Sequence, residues 1–253
     1  SNVVGVPAGT AIGNLFGWRA TFWAMFGLGL VATAAMVALL PRTAAETTPR
    51  PGFLREVQVL GRQQVWTSLI LMLSLMIAQF VPFTYIAPML REVTGLEAGL
   101  VPWVLLLNGV GATIGVFVGG RLSGWRLMES LIALLVLQAL TLAAMWFASP
   151  HAGPMIAVVI LWGGLNFAIG TPIQTRILAW TADAPNLAAS LIPAGFNIGI
   201  ALAATIGGLM LTSGMGYRSL PLLGVVAMSL AAAVAVASWL VERRGAAQPP
   251  RPA

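Results

Sequence analysis

The chain has 253 residues, 58% of them hydrophobic and only 8% charged, with a formal charge of +6. About a quarter of the residues of an ordinary soluble domain are charged, so a soluble globular core of this size is excluded. The absence of Cys excludes a disulfide framework, a Cys-based zinc site and a Cys nucleophile.

The apolar residues come in blocks of about twenty, the length at which a helix crosses a hydrocarbon core about 30 Å thick. The expected fold class is therefore an all-α polytopic membrane protein, with the lipid bilayer as its first partner. The opening stretch, SNVVGVPAGTAIGNLF, has neither an initiator Met nor the basic start and cleavage pattern of a signal peptide. Its apolar run, residues 1 to 15, is too short to span and is expected to be a helix entered from its middle. Gly5, Gly9 and Gly13 recur there at every fourth position and clear one helix face for close backbone approach, while Pro7 removes a ladder hydrogen bond. A whole span follows at 20 to 40.

Segment 41 to 65 begins Pro/Thr-rich and becomes helical in pattern. Phe53, Leu54, Val57, Leu60 and Gln64 share one face with Arg55 and Arg62 off it, which predicts a short helix lying on the membrane surface; an ordinary flexible linker is the alternative. Six further spans are expected at 66 to 90, 100 to 119, 127 to 148, 154 to 178, 186 to 212 and 218 to 240. Five of them carry an amide near mid-depth: Gln79, Asn108, Gln138, Asn166 and Asn197. An amide in hydrocarbon must hydrogen-bond, so each faces another helix or a watered cavity. Phe80, Tyr85, Trp162, Phe167 and Phe196 lie near these amides and supply either an apolar wall for an amphiphilic ligand or plain packing. Trp18, Trp23, Trp103, Trp146 and Tyr217 sit near span ends and read as interface anchors.

Apart from Glu129 in the first turn of 127 to 148, the expected spans hold no acidic residue and no His, the groups that mark ion and proton paths in a membrane. Asp183, in the turn TADAPN, reads as a turn former. No phosphate loop, nucleophile elbow or His-rich zinc pattern is present, so neither an enzyme nor a cofactor is expected. The string GVGATIG lies inside an apolar span and reads as packing glycines.

All 13 basic residues are Arg. Arg42, Arg50, Arg55, Arg62, Arg121, Arg126, Arg176, Arg243, Arg244 and Arg251 fall in one set of connections, and Arg19, Arg91 and Arg218 in the opposite set. That bias puts 41 to 65, the loop 120 to 126, the loop 176 to 185 and the tail from 242 on the cytoplasmic side, with His151 outside. Arginines placed between apolar blocks, without interleaved aromatics, argue against nucleic acid as a partner.

GTAIGNLFGWRA, Gly9 to Ala20, and GLMLTSGMGYRS, Gly208 to Ser219, correspond at a constant offset: Gly9 with Gly208, Gly17 with Gly216, Trp18 with Tyr217 and Arg19 with Arg218. Six spans lie between the two turns, which makes the repeat unit six helices. Parallel six-helix repeats are the plan of major facilitator transporters.

The sequence resembles that superfamily, and within it the twelve-span bacterial drug:proton antiporters near the arabinose-efflux-like and chloramphenicol-efflux-like branches. VVGVPAGTAIG is similar to the end of the antiporter motif on the family's fifth helix, with Gly5, Pro7, Gly9 and Gly13 as its remnant. GGRLSGWR is similar to the cytoplasmic Gly-Arg loop, carried by Gly119, Gly120 and Arg121, with Gly124 where the usual Asp is found. Pro82 to Leu90, Trp162 to Leu178 and Ser190 to Gly208 resemble the seventh, tenth and eleventh helices.

The resemblance implies a partial major facilitator fold. Residues 1–40 would end a first six-helix bundle, 41–65 form a cytoplasmic linker, 66–241 make the complete second bundle and 242–253 a cytoplasmic tail, with about four spans missing upstream. It implies that the seventh, eighth, tenth and eleventh helices border the central cavity. Gln79, Tyr85, Asn108, Trp162, Asn166, Phe167, Phe196 and Asn197 become the substrate-cavity candidates, and Gln138 helix glue. The implied activity is proton-coupled efflux of small amphiphilic molecules by alternating access, in the bacterial cytoplasmic membrane, by a monomer that uses a proton gradient and no cofactor. Sugar or metabolite efflux, or a truncated membrane protein that does not transport, are the alternatives.

Overall fold

The structure, a computed structural model, describes residues 5–39 and 58–246. The surface helix expected from Phe53, Leu54 and Val57 lies outside the described residues, as do the upstream half of the linker and the tail beyond 246. Helix α1 spans Gly5–Phe16 and α2 Trp18–Leu39. They are joined by Gly17 alone, whose φ of 84° is the left-handed conformation that permits so short a turn. Gly9 and Gly13 face Thr21 of α2, whose hydroxyl donates to the Gly9 carbonyl at 3.2 Å. The corresponding second turn is built differently: the positive φ falls at Gly214, and Gly216 is extended.

Helix α3, Gln63–Thr84, follows a single helical turn at Val59–Gly61. The expected span to 90 breaks at Tyr85, because Pro82 and Pro88 each withhold a ladder donor; Ile86–Pro88 and the wider turn Met89–Val93 continue it irregularly. Then come α4 Val101–Trp125, α5 Leu127–Ala148, α6 Ala152–Trp180, α7 Pro185–Thr212 and α8 Leu220–Ala246. Helices α2 to α8 have 22 to 29 residues each. At about 1.5 Å per residue the shortest is about 33 Å long, enough to cross the hydrocarbon core. Seven of the described helices are thus long and apolar enough to span.

Helices α3 to α8 form one bundle, with α4 on α6, α8 on α3 and α5, and α7 on α3. Its core includes Leu71, Leu75, Leu135, Met145, Val159 and Ile169. Helix α1 packs on α2 and touches α4; α2 has no buried residue.

The tightest contact is between α4 and α6. Gly111, Gly115 and Gly119 lie against the carbonyls of Ile160, Gly164 and Ala168, an offset of 49 residues each time, so the two helices run parallel in register. A Cβ on Gly111 would sit 2.5 Å from the Ile160 oxygen, and those on Gly115 and Gly119 closer still to theirs. Such small-residue stripes let helices associate in lipid, where apolar surface gives no advantage over the tails. The Ala168 carbonyl is the one that Pro172 deprives of its helical donor. Gly119, Gly120 and Arg121 are therefore not in a loop: α4 continues to Trp125, and only Arg126 separates it from α5.

Arg176 also differs from expectation. Instead of a loop cation it lies inside α6, 1% exposed. Its Nε donates to Ser68 Oγ at 2.9 Å, and its Nη2 to Ser238 Oγ at 2.8 Å and Glu242 Oε1 at 2.6 Å. Glu242, counted above with the tail, lies in α8, so the arginine-rich end of the bundle does hold a carboxylate within a helix. Asp183 is more than a turn former: it takes two hydrogen bonds from Arg62, at 2.8 and 2.7 Å, while Arg62 also donates to the Trp180 carbonyl. Gln138 is fully buried with neither amide atom bonded to the protein, so it does not act as hydrogen-bonded glue.

Gly115→Ala should lower the stability of the bundle in a denaturation series by about 1–3 kcal/mol, as overpacking does, whereas Gly120→Ala, with nothing within 4 Å of its Cβ, should be neutral. Glu242→Gln strands a buried guanidinium and should cost about 3–5 kcal/mol by the same measurement, with Arg176→Met added in the same chain recovering much of it.

Candidate functional site

One cavity of about 400 Å³ opens between α3, α4, α6 and α7. Helical spacing explains its walls. On α3, Leu75, Met76, Gln79 and Phe80 repeat at i, i+1, i+4 and i+5; on α6, Asn166, Phe167, Gly170, Thr171 and Gln174 continue that pattern to i+8. Phe196 and Ile200 of α7 stand one turn apart, and Val116 closes the α4 side. The volume lies in the range of small-molecule sites, and no lining residue is charged.

The polar content is three amides and a hydroxyl. Asn166, 2% exposed, donates from Nδ2 to the Trp162 carbonyl at 2.9 Å, while its Oδ1 is buried without a protein donor. A buried acceptor left unpaired costs about 1–3 kcal/mol, so this oxygen is a demanding acceptor at the cavity wall. The Thr171 hydroxyl is weakly tied to the Phe167 carbonyl at 3.4 Å. The arrangement can surround an apolar body and offer it a few directed hydrogen bonds.

The sequence profile of the Major Facilitator Superfamily matches residues 1–184. The chain belongs to that superfamily. This major facilitator chain is 35% identical to the inner membrane transport protein YdhP of Escherichia coli K12, over 91% of the chain and 59% of the relative. It is 31% identical to an uncharacterized MFS-type transporter, YtbD, of Bacillus subtilis, over 96% of the chain and 62% of the relative. It is 32% identical to a chloramphenicol resistance protein of Streptomyces lividans, over 79% and 52%. The chain spans about three fifths of the length of the first of these curated relatives.

Four of the eight sequence candidates in this major facilitator bundle meet at the cavity: Gln79, Asn166, Phe167 and Phe196. The other four do not. Asn108 binds α4 to α6, its Nδ2 donating to the Val159 carbonyl at 2.7 Å against Gly163. Tyr85 ties the end of α3 to α7 through the Ala204 carbonyl at 3.3 Å and packs beside Tyr217. Trp162 is fully buried against Phe83. Asn197 is exposed and returns its Nδ2 to Pro193, one turn back on α7. Met76, Gly170, Thr171 and Gln174 escaped the sequence reading; the i+4 and i+8 positions from Asn166 were the signal that pointed to Gly170 and Gln174.

These two asparagines should separate in stability. Asn108→Leu loses an interhelical bond in a tight contact and should lower the unfolding midpoint. Asn166→Leu removes an unpaired oxygen and should leave it unchanged or raise it, both read by thermal unfolding in detergent.

Proposed function

We propose that the chain is the larger part of a secondary transporter that exports small amphiphilic molecules from the bacterial cytoplasm by alternating access. The observation that carries this reading is the uncharged cavity, built from aromatic and aliphatic side chains with Gln79, Asn166 and Gln174 as its directed polar groups. Its sparse polarity favours weakly polar drugs or metabolites over sugars, which need many hydrogen bonds. The names of two relatives, an inner membrane transport protein and a chloramphenicol resistance protein, support efflux and an inner-membrane location.

In this reading a proton gradient drives export, and no group that titrates near neutral pH lines the cavity of this bundle. The residues divide the work as follows: Phe167 and Phe196 hold the apolar body, and the amides fix its orientation. Residues 5–39 belong with a first bundle, and α3 to α8 are the second, rocking against it as a unit. The protein works as a monomer.

The test is efflux of a neutral amphiphile such as chloramphenicol from cells expressing the gene that encodes this chain. Asn166→Ala and Gln79→Ala should each raise the half-saturating concentration about 2- to 10-fold, the effect of one hydrogen bond of about 0.5–1.5 kcal/mol, at unchanged membrane levels. Asn197→Ala should leave it near wild type. Wild-type kinetics in both cavity variants would remove the cavity from the transport path.

A further inference from the structure

Two grooves on the outside of the bundle meet at Leu134, which lines both. The first, about 270 Å³, is wholly apolar: Ile114 and Val118 of α4, Leu134 of α5, and Leu161 and Ala168 of α6 wall it, over the floor that Gly115 and Gly164 leave flat. The second, about 340 Å³, continues toward the arginine-rich end and adds Trp125, Arg126, Glu129 and Ser130. We propose that these adjoining grooves are a binding site for an anionic phospholipid of the cytoplasmic leaflet, with one acyl chain in the apolar limb and the phosphate at Arg126.

Length is the first argument. From Gly111 to Trp125 the groove follows 14 residues of α4, about 21 Å of rise. One leaflet, half of a bilayer about 40–45 Å thick with its headgroups, is about the same. Charge is the second. Arg126 stacks on Trp125 at 5.4 Å and pairs with no carboxylate among the described residues. Glu129, the only carboxylate among the described residues that line the groove, is already bound to Arg243 at 3.2 Å. With exposed Arg121 five residues before Arg126, the groove's mouth sets Arg121, Arg126 and Arg243 against Glu129, a net of two positive charges, while Arg176 and Glu242 cancel each other inside the bundle. Trp125 is 75% exposed and sits where an indole marks the edge of the hydrocarbon.

The division of chemistry selects the occupant. A soluble anion would need the arginines and have no use for the apolar limb. A further transmembrane helix would fill the apolar limb and leave the Arg126 guanidinium unmatched. A phospholipid matches both limbs in order along the membrane normal, and an anionic one is favoured over a zwitterionic one by the net charge.

The chain, purified and held in nanodiscs of phosphatidylethanolamine, is titrated with brominated phosphatidylglycerol or brominated phosphatidylethanolamine while tryptophan emission is followed. The part of the quenching lost in Trp125→Phe reports this site. In the wild type, half-quenching is expected at an about fivefold lower fraction of the anionic lipid, the effect of about one arginine at a lipid surface. Arg126→Gln should bring the two lipids level, and Arg91→Gln, at the opposite end of the bundle, should keep the fivefold difference. Val118→Trp, which fills the apolar limb, should protect Trp125 from both lipids. Equal quenching by the two lipids in the wild type, a preference that survives Arg126→Gln, or undiminished quenching in Val118→Trp would overturn the proposal.

Discussion

The parallel contact of α4 with α6 sets the geometry of everything around it. Gly111, Gly115 and Gly119 let the α4 backbone rest on three α6 carbonyls in register, and Asn108 adds a hydrogen bond to Val159 at one end. Dispersion scales with the number of close atom pairs, so a stripe without side chains gives a larger and more exactly placed contact than leucines would in a solvent as apolar as they are. With α6 held by this face, its adjacent face carries Asn166, Phe167, Gly170, Thr171 and Gln174 toward α3 and α7. The same flat seam, seen from outside, is the floor of the apolar groove between α4, α5 and α6.

Arg176 fixes the other end of α6. Two residues beyond Gln174, its guanidinium reaches Ser68 on α3, Met128 on α5 and Ser238 and Glu242 on α8, so one buried cation joins four helices. Pairing with Glu242 neutralises it within the bundle rather than in the cavity. The cavity wall therefore stays uncharged although a cation lies half a helical turn from its last residue. The Arg62–Asp183 pair is a different kind of contact: both side chains are more than a third exposed, and such pairs contribute little to stability. Its effect is to set where α3 starts relative to the α6–α7 turn.

Much of this was legible in the sequence because hydrocarbon leaves the backbone few options. Every buried N–H and C=O must be satisfied internally, so apolar blocks of about twenty residues become helices, and the spans 127 to 148 and 186 to 212 match α5 and α7 almost to the residue. Ends are less legible, because a charged residue does not by itself mark the edge of the water phase. Arg176, Glu242 and Arg121 all lie in helices, because arginine and glutamate continue a helix readily, and for Arg176 and Glu242 a neutralising partner on another helix replaces water. That partner is 66 residues away for Arg176 and has no local signature. Among the amides, residue type fixed the need for a partner but not which one: Asn108 found a carbonyl across a glycine seam, Asn197 its own helix, and Asn166 only half of what it needs.

The unpaired Asn166 oxygen and the absence of charge around it bear on coupling as well as on binding. A site that neither gains nor loses a proton binds a neutral ligand equally well at either face of the membrane, so it supplies no direction. Under the proposed antiport, direction has to come from a titratable group whose protonation favours one orientation of the two bundles over the other, by as much free energy as its differential affinity for the proton allows. Neither the cavity wall nor the buried Arg176–Glu242 pair holds such a group facing the ligand. Under that proposal the two tasks are separate: this bundle selects ligands by shape and by a few hydrogen bonds, and the proton is assigned to the first bundle.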